Sequence, residues 1–135
     1  MRFFFVLMLM VWGLGLRAEE VPREPGIEAA ISDQIAAFRV DDFSTAFMFA
    51  SPGIQGMFGT PDRFGAMVKN GYPMVWRPGD VRFGRLHDED GVLWQEVLIQ
   101  DQQGRRFGLA YRMERVLGEW RIAGVQVIPA PDVGV

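Results

Sequence analysis

The chain has 135 residues, one histidine, no cysteine, 14 Lys and Arg, and 17 Asp and Glu. This length allows one compact domain, and the lack of cysteine excludes disulfides and thiolate metal sites. The net charge of −3 argues against a nucleic-acid partner, because phosphate neutralisation needs a basic surface. The 49% apolar content is enough for a core. We predict no metal and no cofactor.

Residues 1–18 have the pattern of a secretory signal peptide. Arg2 supplies a positive charge, residues 3–16 are apolar or glycine, and Ala18 is a small residue at the expected cleavage site. A helix over the apolar stretch spans about 21 Å, short of the roughly 30 Å hydrocarbon core. We therefore predict cleavage after Ala18 and no permanent membrane anchor, with the bacterial periplasm as the destination.

The rest of the chain divides into a lead, one domain and a tail. Residues 19–26 carry two prolines and no periodicity, which indicates a flexible lead. Residues 129–135 are expected to form a flexible tail. Between them, residues 27–128 are predicted to form a single domain. Removal of the leader takes away Arg2 and Arg17, so the net charge changes from −3 to −5.

The first half of the domain has helical periodicity. Apolar residues at helical spacing predict a helix over residues 27–38. Asp41 and Asp42 precede a second helical segment and are expected to cap it. Ser51 and Thr60 are each followed by proline, the pattern of a hydroxyl cap with proline at the first helical position. The last of these helices is expected to end at Gly71.

After Gly71 the period changes from about 3.6 to 2, which indicates strands. The predicted strands cover residues 81–85, 92–100, 105–114 and 120–128. The predicted turns cover residues 88–91, 101–104 and 117–118. Helices followed by a meander of strands predict an α+β fold in which N-terminal helices pack in a strongly curved antiparallel sheet.

Several segments carry a resemblance that covers nearly all of residues 28–128. They are QIAAFRVDD, AFMFASPGIQGMFGTPDRFGAMVKNGYPMVW, the Asp101–Gly104 hairpin, Tyr111-Arg112-Met113 and WRIAGV from Trp120. The chain resembles a family of small exported bacterial proteins, common in alphaproteobacteria and described only as a domain of unknown function. Its layout is similar to the nuclear-transport-factor-two-like (SnoaL-like, cystatin-like cone) superfamily. That resemblance implies a pocket between helices and sheet, and often a dimer through the outer face of the sheet.

Two adjacent carboxylates are the candidates for acid–base chemistry. If Asp41 or Asp42 points into the cone, burial would raise its pKa and suit it to proton transfer, with Tyr72 or Tyr111 as a partner. The alternative is helix capping, in which the carboxylate stays ionised. His87 is the only imidazole, and it is either a general base or a solvated residue at a strand end.

The ligand-pocket candidates are aromatic or flexible side chains and one mid-strand arginine. They are Phe47, Met67, Tyr72, Trp76, Tyr111 and Arg112. Ordinary core packing for the apolar ones, and a polar outer sheet face for Arg112, are the alternatives.

The predicted function is that of a pocket-bearing periplasmic binding or accessory protein for a small apolar ligand or a protein partner. The alternative is a small isomerase or dehydratase that uses a pocket carboxylate with a tyrosine. Residues 92–99 are apolar on both faces, which predicts a homodimer through the sheet.

Overall fold

The computed structural model describes residues 18–130. The predicted signal peptide falls almost wholly on residues 1–17, and most of the predicted tail falls on residues 131–135. Both lie outside the described residues, so cleavage and export stay predictions. Within residues 18–130, none of the helices combines the length and the apolar composition that crossing a membrane requires.

Five helices occur in the described part of the chain, all of them ahead of the main strands. They are α1 (Pro25–Arg39), α2 (Phe43–Met48), α3 (Pro52–Phe58), α4 (Pro61–Gly71) and α5 (Pro73–Trp76). Asp42, Ser51 and Thr60 cap α2, α3 and α4, and each side chain accepts a backbone N–H three residues further on. The predicted starts of these helices are therefore confirmed.

The strands of residues 18–130 form one antiparallel sheet that is not closed. They are β1 (Glu19–Val21), β2 (Pro78–Glu89), β3 (Val92–Asp101), β4 (Arg106–Val116) and β5 (Glu119–Ile128). Neighbours in sequence are neighbours in the sheet, in the order β1-β2-β3-β4-β5. The α+β class is confirmed.

Three local predictions differ from the structure. Residues 19–21 of the expected flexible lead pair with Leu86–Asp88 of β2, because an open sheet edge offers backbone partners that need no side-chain periodicity. Helix α5 was not predicted, since four residues are too few for a helical pattern. Strand β2 continues to Glu89, so the turn predicted over residues 88–91 shrinks to Asp90-Gly91.

The core lies between α1 and the inner face of the sheet. The predicted stripe of Ile27, Ile31, Ile35 and Phe38 is buried along α1. The sheet contributes residues that alternate along the two central strands, namely Val97, Ile99, Leu109, Tyr111 and Met113. This burial supplies the main apolar contact between the two layers.

The link between α2 and α3 bonds directly to the edge strand β5. Ile122 N–H donates to the Phe49 carbonyl at 2.8 Å, and Ser51 N–H donates to the Ile122 carbonyl at 2.8 Å. These two bonds form a parallel bridge between Ala50 and Ile122. They hold the helical layer against one edge of the sheet.

The outer face of the sheet is mainly polar. Glu96 of β3 lies 3.0 Å from the Arg85 guanidinium. Trp94 and Leu98 of the same strand are half-buried. Arg112 is exposed on this face, opposite Trp94 in the register. The homodimer through this face stays a prediction.

The β4–β5 hairpin contains a residue in an unfavourable backbone conformation. Leu117 and Gly118 have φ of +53° and +84°, as a two-residue type I′ turn requires, and Leu117 is fully exposed. Asn adopts positive φ at lower cost than Leu. We expect Leu117→Asn to raise the free energy of unfolding by about 1 kcal/mol, measured by urea denaturation.

The matched control is Asp90→Asn at the equivalent position of the β2–β3 hairpin, where φ is +53°. Asp already tolerates this conformation, so the change should be smaller. A destabilised Leu117→Asn protein would contradict the prediction.

Candidate functional site

A cavity of about 250 Å³ lies between the helical layer and the end of the sheet formed by β4 and β5. Apolar side chains of α3 and α4 form much of its wall, namely Ile54, Met57, Phe58, Phe64, Met67 and Val68. Ile122 and Val125 of β5 close the opposite side. Such a concave apolar site with few polar groups is typical of small-molecule binding.

Helix α3 borders this cavity, and its half-buried Ile54 and Phe58 pack against the edge of the core. None of its side chains is buried, and Met57, which lines the cavity, is 71% exposed. Gln55 fixes the helix to the chain before it, since its Nε2 donates to the carbonyls of Phe47 and Ala50, each at 3.0 Å. The cavity is thus bounded on one side by a thin, solvent-exposed element.

Three polar side chains line the cavity. Gln34 is 3% exposed, and its Nε2 donates to the Ala46 carbonyl at 3.0 Å. The Tyr72 hydroxyl donates to the Val125 carbonyl at 3.3 Å. The Tyr111 hydroxyl is buried and has no hydrogen-bond partner within residues 18–130. Burial, with a smaller contribution from Tyr72, raises the pKa of Tyr111 well above its ordinary value, so the phenol stays neutral.

The structure brings three of the six pocket candidates to this cavity and leaves three outside it. Met67, Tyr72 and Tyr111 lie in its wall. Phe47 instead packs against Phe64, with ring centroids 5.5 Å apart, and Trp76 turns towards Asp41. The exposed Arg112 lies on the outer sheet face. Contact of the lining residues with a ligand stays a prediction.

Asp41 is held in a polar cluster outside the cavity. Its carboxylate accepts a hydrogen bond from Trp76 Nε1 at 2.8 Å and lies 3.2 Å from the Arg77 guanidinium, which stacks on the Trp76 ring. The hydrogen bond from Trp76 lowers the pKa of Asp41, and Arg77 lowers it further. Desolvation opposes them, but the pKa stays below its ordinary value. A carboxylate of lowered pKa is a weak general base.

Asp42 acts as the cap of α2. Its Oδ1 accepts the Thr45 N–H at 3.1 Å, and the hydrogen bonds from Thr45 lower its pKa. Neither this carboxylate nor that of Asp41 lines the cavity that contains Tyr72 and Tyr111, and of the two only Asp42 has the capping role given as the alternative.

His87 lies on the outer face of the sheet. Its Nδ1 is 3.6 Å from Glu96 and its Nε2 is 3.6 Å from Glu89. In the part of the chain that the structure describes, no cluster of three or more His, Asp or Glu side chains is arranged to hold a metal ion.

Sequence reasoning missed Gln34 and Ile54 of the cavity wall, whereas Met57 and Phe58 of α3 belong to the Phe and Met cluster that the sequence offers as a possible pocket floor. Gln34 had a usable signal, because it interrupts the apolar stripe of α1 between Ile31 and Phe38. A polar side chain on a buried stripe must be paired or face a cavity. Ile54 gave no such signal, since an apolar side chain of a short helix looks the same in a core and in a cavity wall.

The Asp41 cluster gives a pH-dependent prediction. Asp41→Asn keeps a residue suited to its φ of +56° and removes the charge that faces Arg77. The pKa of Asp41 is lower in the folded than in the unfolded protein. The ionised carboxylate therefore stabilises the folded state fully at pH values above its unfolded pKa of about 3.9, and this stabilisation is lost as the pH falls through its folded pKa. We expect the variant to unfold at lower urea concentration at pH 7, and the difference to shrink towards pH 3.

The control is Asp33→Asn, which removes an exposed carboxylate from α1. It should change the urea midpoint little at either pH. A difference between wild type and Asp41→Asn that stays constant from pH 7 to pH 3 would rule out the ionic contribution.

Comparison with known proteins gives one family match. No curated protein matches the chain, and no solved structure matches it. The model of the family described as "Domain of unknown function (DUF4864)" matches residues 20–135, which include all five helices, strands β2 to β5 and all of β1 except Glu19. The chain therefore belongs to the DUF4864 family.

Proposed function

We propose that this protein binds a small apolar molecule in the cavity between the helices and strands β4 and β5. The observation that carries the proposal is a concave space of about 250 Å³ with a mainly apolar wall, between α3 and α4 on one side and strands β4 and β5 on the other. A core built only for stability is packed to crystal-like density and leaves few voids larger than a water molecule. Concave, mainly apolar sites with a few polar groups are where small molecules bind.

The cavity volume limits the size of the ligand. A cavity of about 150 Å³ accommodates benzene, so a space of about 250 Å³ accommodates roughly ten non-hydrogen atoms. This size corresponds to a phenylalkyl compound or a medium-length aliphatic chain, and it is well below that of a phospholipid.

Binding is tested by thermal denaturation and calorimetry with isopentylbenzene as the probe. At ten times Kd, a ligand that binds only the folded state adds about 1.4 kcal/mol, which raises Tm by roughly 5 °C for a domain of this size. Val125→Phe places a larger side chain in the cavity wall and should raise Kd at least about tenfold.

The matched control is Val127→Phe, the same substitution two residues along the same strand. Val127 is 61% exposed and does not line the cavity. It should leave Kd within about twofold of the wild type. An unshifted Tm for the wild type at saturating probe, or equal effects of the two variants, would contradict the proposal.

We also propose that the protein works in the periplasm and has a cone-like arrangement of the SnoaL-like type. The charged, apolar and small-residue regions of residues 1–18 support export. Helices on one face of an antiparallel sheet, with a cavity between them, support the cone. The homodimer and a protein partner rest on the sequence alone.

Export is tested by expressing the full chain in a bacterium with two membranes. The periplasmic fraction should contain a protein whose intact mass corresponds to an N-terminus at Glu19. Ala18→Leu enlarges the residue at the cleavage site and should leave the precursor uncleaved. A cytoplasmic protein that retains Met1 would contradict the proposal.

A further inference from the structure

The Tyr111 hydroxyl is the polar group of the cavity wall that the fold leaves unsatisfied. Tyr111 is 1% exposed, and its hydroxyl forms no hydrogen bond within residues 18–130. The other polar side chains of the wall already donate hydrogen bonds within the protein, Tyr72 to the Val125 carbonyl and Gln34 to the Ala46 carbonyl. Buried polar groups are almost always paired, so an unpaired one points to a missing partner.

We propose that the ligand is a neutral molecule whose apolar body carries an oxygen, such as that of a ketone or ester, which accepts a hydrogen bond from Tyr111. This inference rests on the proposed function and assigns the chemical class of its ligand. Strand β4 positions the phenol on the inner face of the sheet, where Tyr111 forms part of the cavity wall.

The acceptor character follows from the state of the phenol. Desolvation keeps the Tyr111 phenol protonated, so its O–H group is available to donate a hydrogen bond within an apolar wall. A hydrocarbon would leave this donor buried and unpaired, which costs free energy that an oxygen acceptor recovers.

The neutral character follows from the charges of the wall. No Lys, Arg or His lines the cavity, and no carboxylate does so within the described chain. A carboxylate ligand would enter without a counter-ion, and an unpaired buried charge is strongly unfavourable. Fatty-acid-like anions are therefore excluded in favour of uncharged oxygen compounds.

Three probes of matched shape separate these properties. They are isopentylbenzene, 4-phenyl-2-butanone and 3-phenylpropanoate, which carry an isopropyl, an acetyl and a carboxylate group on the same phenylethyl body. Calorimetry at pH 7 gives their affinities for the wild type, Tyr111→Phe and Tyr72→Phe. We expect wild type to bind the ketone and the hydrocarbon, and to bind the anion more weakly than either.

Tyr111→Phe removes the donor and keeps the ring. It should weaken ketone binding about tenfold, or about 1.4 kcal/mol, with the hydrocarbon affinity unchanged or higher. Tyr72→Phe removes a hydroxyl already bound to the protein, so it should change both affinities by the same factor. The ligand-free Tyr111→Phe protein should have a Tm at or above that of the wild type, since it loses an unpaired buried group.

The outcomes distinguish the two proposals. Hydrocarbon binding with equal ketone affinity in wild type and Tyr111→Phe overturns this inference and leaves the proposed function standing. Tightest binding of the anion also overturns it. Absence of binding by all three probes overturns the proposed function itself. A Tyr111→Phe protein of clearly lower Tm would show that the hydroxyl has a structural partner, which contradicts the inference.

Discussion

Two backbone hydrogen bonds at Ile122 determine how the helical layer is placed on the sheet. They tie the short connection between α2 and α3 to the edge strand β5, so the start of α3 lies next to that strand. The bridge also occupies part of an edge that would otherwise offer free backbone groups to another strand. Helices α3 and α4 follow this point in the chain, and their side chains line the cavity beside β4 and β5.

Some aromatic residues of the helical layer form part of the cavity wall, and others pack behind it. Phe38 and Phe64 belong both to the core and to the cavity wall, with their ring centroids 5.8 Å apart. Phe43 packs beside Phe38 on the far side of this pair, at 6.3 Å. This aromatic packing favours a preformed cavity, which would lower the entropic cost of the binding proposed above.

Much of the fold could be predicted from sequence because its signals are local. Capping residues followed by proline place the starts of α3 and α4, and alternation places β3, β4 and β5. The strand Glu19–Val21 could not be predicted, because its stability comes from pairing with a distant strand and not from its own residues.

The site was predictable only in part, for a related reason. The sequence indicated a pocket near Met67, Tyr72 and Tyr111, which do line one cavity. It did not indicate that Trp76 turns away to donate a hydrogen bond to Asp41, since that contact depends on how α5 packs against the end of α1. Side-chain direction in a four-residue helix is set by tertiary contacts, and periodicity carries no information about it.

Helix α3 has an energetic consequence for exchange between the cavity and solvent. The helix buries no side chain, and the amide of Gln55 supplies two of the hydrogen bonds that hold it in place. Its local opening therefore breaks few interactions and leaves the sheet intact, so it requires much less free energy than global unfolding. For the ligand proposed above, opening of the seven residues of α3 would widen the route into the cavity without unfolding the sheet.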